Sequence, residues 1–120
     1  MWPFSSTKAN KMNYRSIDAD FAVAGQVRPD QIEALAAAGF KTIVCARPDN
    51  EEPGQPSFRQ IAAEAEKLGI KSVHIPISGG ISDSAVKSMK KALAGLPKPM
   101  YGYCRSGARA GSLYGAALRP

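Results

Sequence analysis

The sequence predicts an α/β fold, with a mostly parallel central sheet and helices on both of its faces. From about residue 20 onward, short apolar segments alternate with longer amphipathic segments. Residues 42–46 are apolar and β-branched on both sides, as expected of a strand that is buried on both faces of a sheet. Strands that alternate with helices usually pair in parallel, because each helix returns the chain to the starting edge of the sheet.

Local signals place each element in order. The predicted strands are residues 21–25, 42–46, 70–77 and 99–104, and the predicted helices begin near residues 29, 58, 82 and 108. Pro29 suits the first turn of a helix and Gly39 the position after its last turn. The second helix carries apolar side chains at intervals of three and four residues before Gly69 ends it. Ser82 or Asp83 caps the third helix, and the fourth ends near residue 118.

Length and composition indicate one soluble domain. Of its 120 residues, 44% are hydrophobic and 22% are charged, and no apolar run approaches the ~18–20 residues of a membrane helix. Residues 1–12 are predicted to be a flexible extension and residues 13–120 the catalytic domain. The opening residues lack the pattern of a signal peptide, and Cys45 and Cys104 are too few for a disulfide scaffold. We therefore expect a reduced, cytoplasmic protein with no cofactor and no metal, because a single histidine forms no metal-binding pattern.

Positive charge is concentrated in the last third of the chain. Residues 1–83 carry nine basic and ten acidic side chains, whereas residues 84–120 carry seven basic and no acidic ones. Such an imbalance indicates either an anionic substrate or partner, or a solvated lysine face on a helix. Lys87, Lys90 and Lys91 fit the second explanation, since they share one face of the third helix. Arg105 and Arg109 fit the first, and no nucleic-acid or membrane motif accompanies them.

The most informative segment surrounds Cys104, which ends the last predicted strand. In α/β sheets, ligand sites lie beyond the carboxyl ends of strands, and a loop entering a helix directs several N–H groups at one point. Arg109 offers a planar set of donors to an oxyanion, and Gly107 permits a turn with positive φ. Positive surroundings at a helix start favour a thiolate, whereas nearby carboxylates would raise its pKa, and residues 84–120 contain none. Cys104 and Arg109 are the catalytic candidates, and the alternative is a buried structural cysteine. The residues predicted to bind the anion are Arg105, Ser106, Gly107 and Ala108.

Two resemblances extend this prediction. The segment from Cys104 to Arg109 resembles the six-residue active loop of rhodanese-type sulfurtransferases. The chain from about residue 13 to residue 118 resembles a bacterial family of beta-lactamase hydrolase-like, phosphatase-like domains, through residues 20–26, 35–43, 47–51, 54–57, 74–76 and 104–107. This resemblance implies a fold like that of dual-specificity tyrosine phosphatases. Family members occur alone or fused to a persulfide dioxygenase or a sulfide:quinone oxidoreductase, which implies sulfur metabolism and makes these enzymes candidate partners.

The length of the loop between cysteine and arginine favours sulfur chemistry over phosphate chemistry. Tyrosine phosphatases place cysteine and arginine six positions apart, whereas Arg109 is five positions after Cys104, and Tyr103 stands where histidine is usual. A shorter loop suits a single terminal sulfur, and a phosphoryl group requires more donors. Asp83 is the one carboxylate in the segment where phosphatases carry a general acid, and it also suits a helix cap. Ala110 replaces a hydroxyl residue often found in the resembling families, which would leave the thiolate less stabilised.

The sequence therefore favours a sulfurtransferase. Cys104 would take sulfur from thiosulfate or glutathione persulfide, form a persulfide and pass the sulfur to a thiophilic acceptor. One alternative is a phosphoester hydrolase that acts through a cysteinyl phosphate. A second alternative is a non-catalytic persulfide- or anion-sensing module that docks on an oxidoreductase of sulfur metabolism.

Secondary candidates lie near the same edge of the predicted sheet. Cys45 ends a neighbouring strand and either packs in the core or resolves an oxidised Cys104. Arg47, Asp49 and Glu51 begin a long polar loop and either line the site or hold that loop through ion pairs. His74, within an apolar strand, is expected to be a core histidine with its hydrogen bonds satisfied rather than a base.

Overall fold

The computed structural model describes residues 13–120, and the extension predicted at residues 1–12 lies outside them. The strands are β1 (Tyr14–Ser16), β2 (Phe21–Ala24), β3 (Thr42–Cys45), β4 (Lys71–His74) and β5 (Met100–Tyr103). The helices are α1 (Ile32–Ala37), α2 (Phe58–Lys67), α3 (Asp83–Gly95) and α4 (Ala108–Ala117), and one 3₁₀ turn at Pro29–Gln31 leads into α1.

The five strands form one sheet in the order β1-β2-β5-β3-β4. All neighbouring pairs are parallel except β1 and β2. In the register of the central strands, Ala24 and Cys45 both pair with Tyr103. The chain segments that follow β2, β3 and β5 therefore leave the sheet side by side, and this edge is where ligand sites form in α/β folds.

The core is divided between the two faces of the sheet, as the predicted fold class requires. One face packs against α3 and α4, with Met89, Leu113 and the Cys104 side chain among its buried residues. The other packs against α1 and α2, with Leu35 and Ile61 buried. The sequence prediction of a mostly parallel sheet with helices on both faces is confirmed.

Three details differ from the sequence prediction. Strand β1 is not predicted, because its three residues, Tyr14 to Ser16, are all exposed and carry no apolar alternation. The strand predicted over residues 70–77 is limited to Lys71–His74. The first helix begins as a 3₁₀ turn at Pro29. These are differences at element ends and at an edge strand, where tertiary pairing rather than local pattern decides the structure.

Helix starts are defined by capping side chains. Ser57 and Gln60 form a reciprocal capping box at α2. Ser82 caps α3 by accepting a hydrogen bond from the backbone N–H of Ala85 at 3.1 Å, so Asp83 is the first helical residue rather than the cap. Across residues 13–120, no helix is both long and apolar enough to cross a membrane.

Candidate active site

Cys104 lies directly after β5, at the base of a turn that leads into α4. We call residues 104–109 the Cys104 loop. Gly107 adopts a φ of +96°, which glycine tolerates and other residues rarely do, and this reverses the chain so that its N–H donates to Cys104 Sγ at 3.0 Å. Burial raises the pKa of the Cys104 thiol, but hydrogen bonds from the backbone N–H groups of Ala110, Ser106, Gly107 and Arg109 outweigh it and lower the pKa below its ordinary value.

The Cys104 loop rests closely on the end of β2. The backbone N–H of Cys104 donates to Ala24 O at 3.3 Å. A Cβ atom on Gly25 would lie 2.9 Å from Arg105 O, and one on Gly107 would lie 3.3 Å from Ala24 backbone atoms. The backbones of the two segments approach each other so closely at Gly25 and Gly107 that only glycine fits there without displacing them. This contact sets the distance between the Cys104 loop and the end of β2.

The Arg109 side chain is held by a carboxylate from a distant part of the chain. Its Nη1 and Nη2 atoms donate to Glu51 Oε2 and Oε1, both at 2.8 Å, and Nη1 also donates to Ile77 O at 2.9 Å. These bonds occupy one end of the guanidinium. The Nε–H and the second Nη2–H form the other edge, and among residues 13–120 no carboxylate or carbonyl bonds to it.

The Arg109 guanidinium also interacts with the Cys104 thiol. Hydrogen bonding to Glu51 is the main reason that the pKa of Arg109 is raised, and interactions with Cys104 raise it further. The guanidinium can therefore bind two atoms of an anion side-on while Glu51 holds its end.

Glu51 is itself held by a second arginine. Arg47 Nε donates to Glu51 Oε1 at 2.8 Å, while its Nη1 and Nη2 donate to Gln26 Oε1 and Glu52 Oε1, both at 2.9 Å. The Arg47 side chain is only 1% exposed. Hydrogen bonds from Arg109 and then from Arg47 lower the pKa of Glu51 to about 2, so this carboxylate is ionised at neutral pH.

The segment between β3 and α2, residues 46–57, is held by its own hydrogen bonds; we call it the β3–α2 loop. Asp49 Oδ1 accepts from the backbone N–H of Phe58 at 2.8 Å. The Gln55 side chain donates to Pro48 O and accepts from the backbone N–H of Glu51. Of the two interpretations offered by the sequence, Arg47 and Asp49 hold the loop, and Glu51 faces Arg109.

The predicted anion-binding residues are mostly at the surface. The Arg105 side chain is 71% exposed, with Nη2 3.9 Å from Glu52 Oε2. Ser106 is exposed and its Oγ accepts from the backbone N–H of Ala108 at 3.3 Å, whereas Gly107 is buried beneath them. Cys104 itself is fully buried.

Asp83 and Cys45 lie apart from this arrangement. Asp83 is exposed at the start of α3, and no hydrogen bond among the described residues joins it to the Cys104 loop. The Cys45 side chain packs on the α1–α2 face of the sheet and donates to Arg47 O at 3.4 Å, whereas Cys104 packs on the α3–α4 face. Burial raises the pKa of Cys45, so its thiol stays protonated. His74 contacts Arg47 O through Nε2 at 2.8 Å and stacks on Phe58, as expected of a satisfied core histidine.

Two carboxylates from the β3–α2 loop lie beside the Cys104 loop. Glu51 and Glu52 stand beside the three arginines of this region, Arg47, Arg105 and Arg109. Sequence reasoning gave no role to Glu52 or to Gln26, which also bonds Arg47. The observation that could have indicated a role for Glu52 is that β3 and β5 are adjacent, because adjacent parallel strands place the loops that follow them side by side. Within residues 13–120, no group of three histidine, cysteine or acidic residues could hold a metal ion.

Comparisons with known proteins agree with this fold. Residues 13–118 match the family described as beta-lactamase hydrolase-like protein, phosphatase-like domain. A beta-lactamase hydrolase-like protein of Agrobacterium fabrum is 36% identical over 108 residues, which are 89% of this chain and 24% of that protein. Its counterpart in Xylella fastidiosa (strain Temecula1) is 31% identical over 104 residues, covering 86% and 24%. The chain thus spans about a quarter of the length of these relatives.

Solved structures place the fold among phosphatases. A candidate phosphatase from Neisseria meningitidis Z2491 superposes with a TM-score of 0.78 and 33% identity, covering 88% of this chain and 75% of that one. The catalytic core of a PP-IP phosphatase from S. cerevisiae, in complex with citrate, superposes with a TM-score of 0.65 and 19% identity, covering 85% and 62%. At that identity, the second likeness shows the fold alone. The chain belongs to the family of beta-lactamase hydrolase-like, phosphatase-like domains, and its fold is that of the tyrosine and dual-specificity phosphatases.

Proposed function

We propose that this domain is a cysteine-dependent phosphoester hydrolase, with Cys104 as the nucleophile and Arg109 as the binding group for the phosphoryl oxygens. The observation that carries the proposal is that Arg109, with one edge of its guanidinium open, interacts with a thiol of lowered pKa. Two parallel N–H donors match two oxygens of a tetrahedral anion. The similarity to phosphatases favours this alternative over the sulfurtransferase that the sequence alone favoured.

The reaction has two steps. The Cys104 thiolate attacks phosphorus, so that an S–P bond forms while the P–O bond to the leaving group breaks. Water then attacks the cysteinyl phosphate, the S–P bond breaks, and the thiolate and inorganic phosphate are released. The N–H groups that stabilise the free thiolate also stabilise it as the leaving group of the second step. Arg109 balances negative charge on the phosphoryl oxygens in both steps.

Protonation of the leaving group limits the choice of substrate. A carboxylate whose pKa is about 2 cannot donate a proton at neutral pH, which excludes Glu51 as the general acid. Asp83 is exposed, and in the part of the chain that the structure describes it forms no hydrogen bond to the Cys104 loop. The preferred substrates are therefore phosphoesters whose leaving groups are weak bases, such as aryl phosphates.

Sulfur transfer is the second candidate, and one specific observation favours it. The Cys104 loop has one residue fewer between cysteine and arginine than the tyrosine phosphatase signature, and a thiolate or sulfite leaving group requires no general acid. In this reaction the thiolate attacks the outer sulfur of thiosulfate, an S–S bond forms as sulfite leaves, and an acceptor thiol or cyanide then takes the sulfur. Thiosulfate also presents oxygens to the open edge of Arg109.

One activity panel distinguishes these functions. The wild type and Cys104→Ser are assayed with an aryl phosphate, with thiosulfate plus cyanide, and with glutathione persulfide plus sulfite. The proposal predicts aryl phosphate hydrolysis that Cys104→Ser abolishes. Sulfur transfer without aryl phosphate hydrolysis would establish the second candidate. Binding of phosphate or thiosulfate with no turnover of any substrate would identify a sensing module.

A further inference from the structure

We infer that Arg47 is a positioning residue for anion binding, which acts on Arg109 through Glu51 although it contacts no substrate. This inference rests on the proposed function, because it specifies how the same site is kept in its binding geometry. The three side chains form a continuous chain of contacts: Arg47 Nε to Glu51 Oε1 at 2.8 Å, then Glu51 Oε1 and Oε2 to Arg109 Nη2 and Nη1 at 2.8 Å.

Burial makes Arg47 the fixed end of this chain. Its side chain is 1% exposed, whereas those of Glu51 and Arg109 are 28% and 26% exposed. Solvent-exposed ion pairs are weak, because water competes and two long side chains must be ordered. A glutamate held by Arg109 alone would therefore sample several positions. The buried guanidinium restricts Glu51 to one position.

The surroundings of Arg47 fix its own orientation. Each of its three nitrogens donates to a different acceptor, on Glu51, Gln26 and Glu52, at 2.8–2.9 Å. Its carbonyl oxygen, in turn, accepts from Cys45 Sγ and contacts His74 Nε2. A lysine carries one nitrogen on a flexible stem and cannot reproduce three divergent bonds, so charge alone does not replace Arg47.

The position of Glu51 determines how the Arg109 guanidinium is oriented toward a bound anion. With Glu51 fixed, the end of the Arg109 guanidinium is occupied, its other edge stays open to an anion, and the side chain stays in reach of Cys104. If Glu51 is free to move, that edge rotates away and the anion loses one of its two parallel bonds. Displacements of about 1 Å in a binding group cost up to ~100-fold in activity.

The test measures anion binding rather than turnover. Inorganic phosphate should protect Cys104 from alkylation by iodoacetamide, and the phosphate concentration for half-protection reports the strength of binding. We expect Arg47→Met to raise that concentration about tenfold or more, and Arg47→Lys to give an intermediate value. Glu51→Gln should weaken binding similarly, and the double variant Arg47→Met/Glu51→Gln should be no weaker than Glu51→Gln alone, because both act through one contact.

Two controls make the result specific. Arg28 forms an exposed ion pair with Asp30, so Arg28→Met removes the same charge away from this chain of contacts and should leave half-protection within twofold. The alkylation rate without phosphate should change little in Arg47→Met, whereas collapse of the site would change it strongly. Arg47→Lys keeps the buried charge, and it decides the test if Arg47→Met does not fold.

Three results would overturn the inference: unchanged half-protection in Arg47→Lys and Arg47→Met, equal weakening by Arg28→Met, or losses that multiply in the double variant. Failure of the proposed function has a different signature, since it would leave aryl phosphate unhydrolysed in the wild type whatever the variants do to phosphate binding.

Discussion

Gly25 is the position where a single methyl group would disturb the Cys104 loop most directly. An added Cβ would lie 2.9 Å from Arg105 O, and ordinary van der Waals contact begins at 3.4 Å, so one of the two backbones must move by about 0.5 Å. Neither is a flexible side chain. Overpacking of this kind costs about 1–3 kcal/mol. Because a misplacement of about 1 Å reduces activity up to ~100-fold, a shift of half that size should reduce it about tenfold.

The assay for Gly25→Ala combines urea unfolding with aryl phosphate kinetics. Gly115→Ala is the matched control, since Gly115 is an exposed residue within α4 and an added Cβ would meet no atom within 4 Å. It should stabilise the protein by about 0.5–1 kcal/mol and leave kcat/KM unchanged. Wild-type stability together with kcat/KM within twofold in Gly25→Ala would refute the reasoning.

Further variants test other contacts. Asp83→Asn should change kcat for an aryl phosphate less than twofold, and a loss of ~10²–10⁴ would show instead that Asp83 is the general acid. Tyr114→Phe removes the hydroxyl that donates to Asp18 Oδ2 at 2.6 Å, and should lower the free energy of unfolding by about 1 kcal/mol in urea titrations; no change would show that water replaces this bond. The folded pKa of Glu51, about 2, lies below its ordinary value of 4.5, so its stabilisation is complete above about pH 5 and is lost as pH falls toward 2. Glu51→Gln should therefore flatten the acid side of the stability profile, and an unchanged profile would contradict the pairing with Arg109 and Arg47.

Local patterns predicted most of the fold. Residues 42–46 indicate a buried strand by composition alone, and Pro29, Gly39 and Gly69 mark helix ends for conformational reasons that do not depend on the rest of the molecule. Strand β1 could not be predicted this way. Its exposed residues become a strand only because the edge of β2 is available to pair with them.

Part of the candidate site could likewise be predicted from local sequence, and part could not. The Cys104 loop is contiguous in sequence, so its turn at Gly107 and its N–H groups could be predicted. Glu51 and Arg109 are separated by 58 residues, and their contact depends on β3 and β5 being neighbours in the sheet. The burial of Arg47 could not be predicted either, because the residues that follow it are as polar as those of a surface loop.

The central claim is that Cys104 carries the phosphoryl group during turnover, and trapping that intermediate tests it most directly. The protein is mixed with an aryl phosphate, quenched in acid within one turnover, digested and analysed by mass spectrometry. The proposal predicts the mass increment of one phosphoryl group on the peptide that contains Cys104, and no such increment in Cys104→Ser. The contradicting result is an unmodified Cys104 with aryl phosphate, together with the increment of one sulfur atom on the same peptide after incubation with thiosulfate.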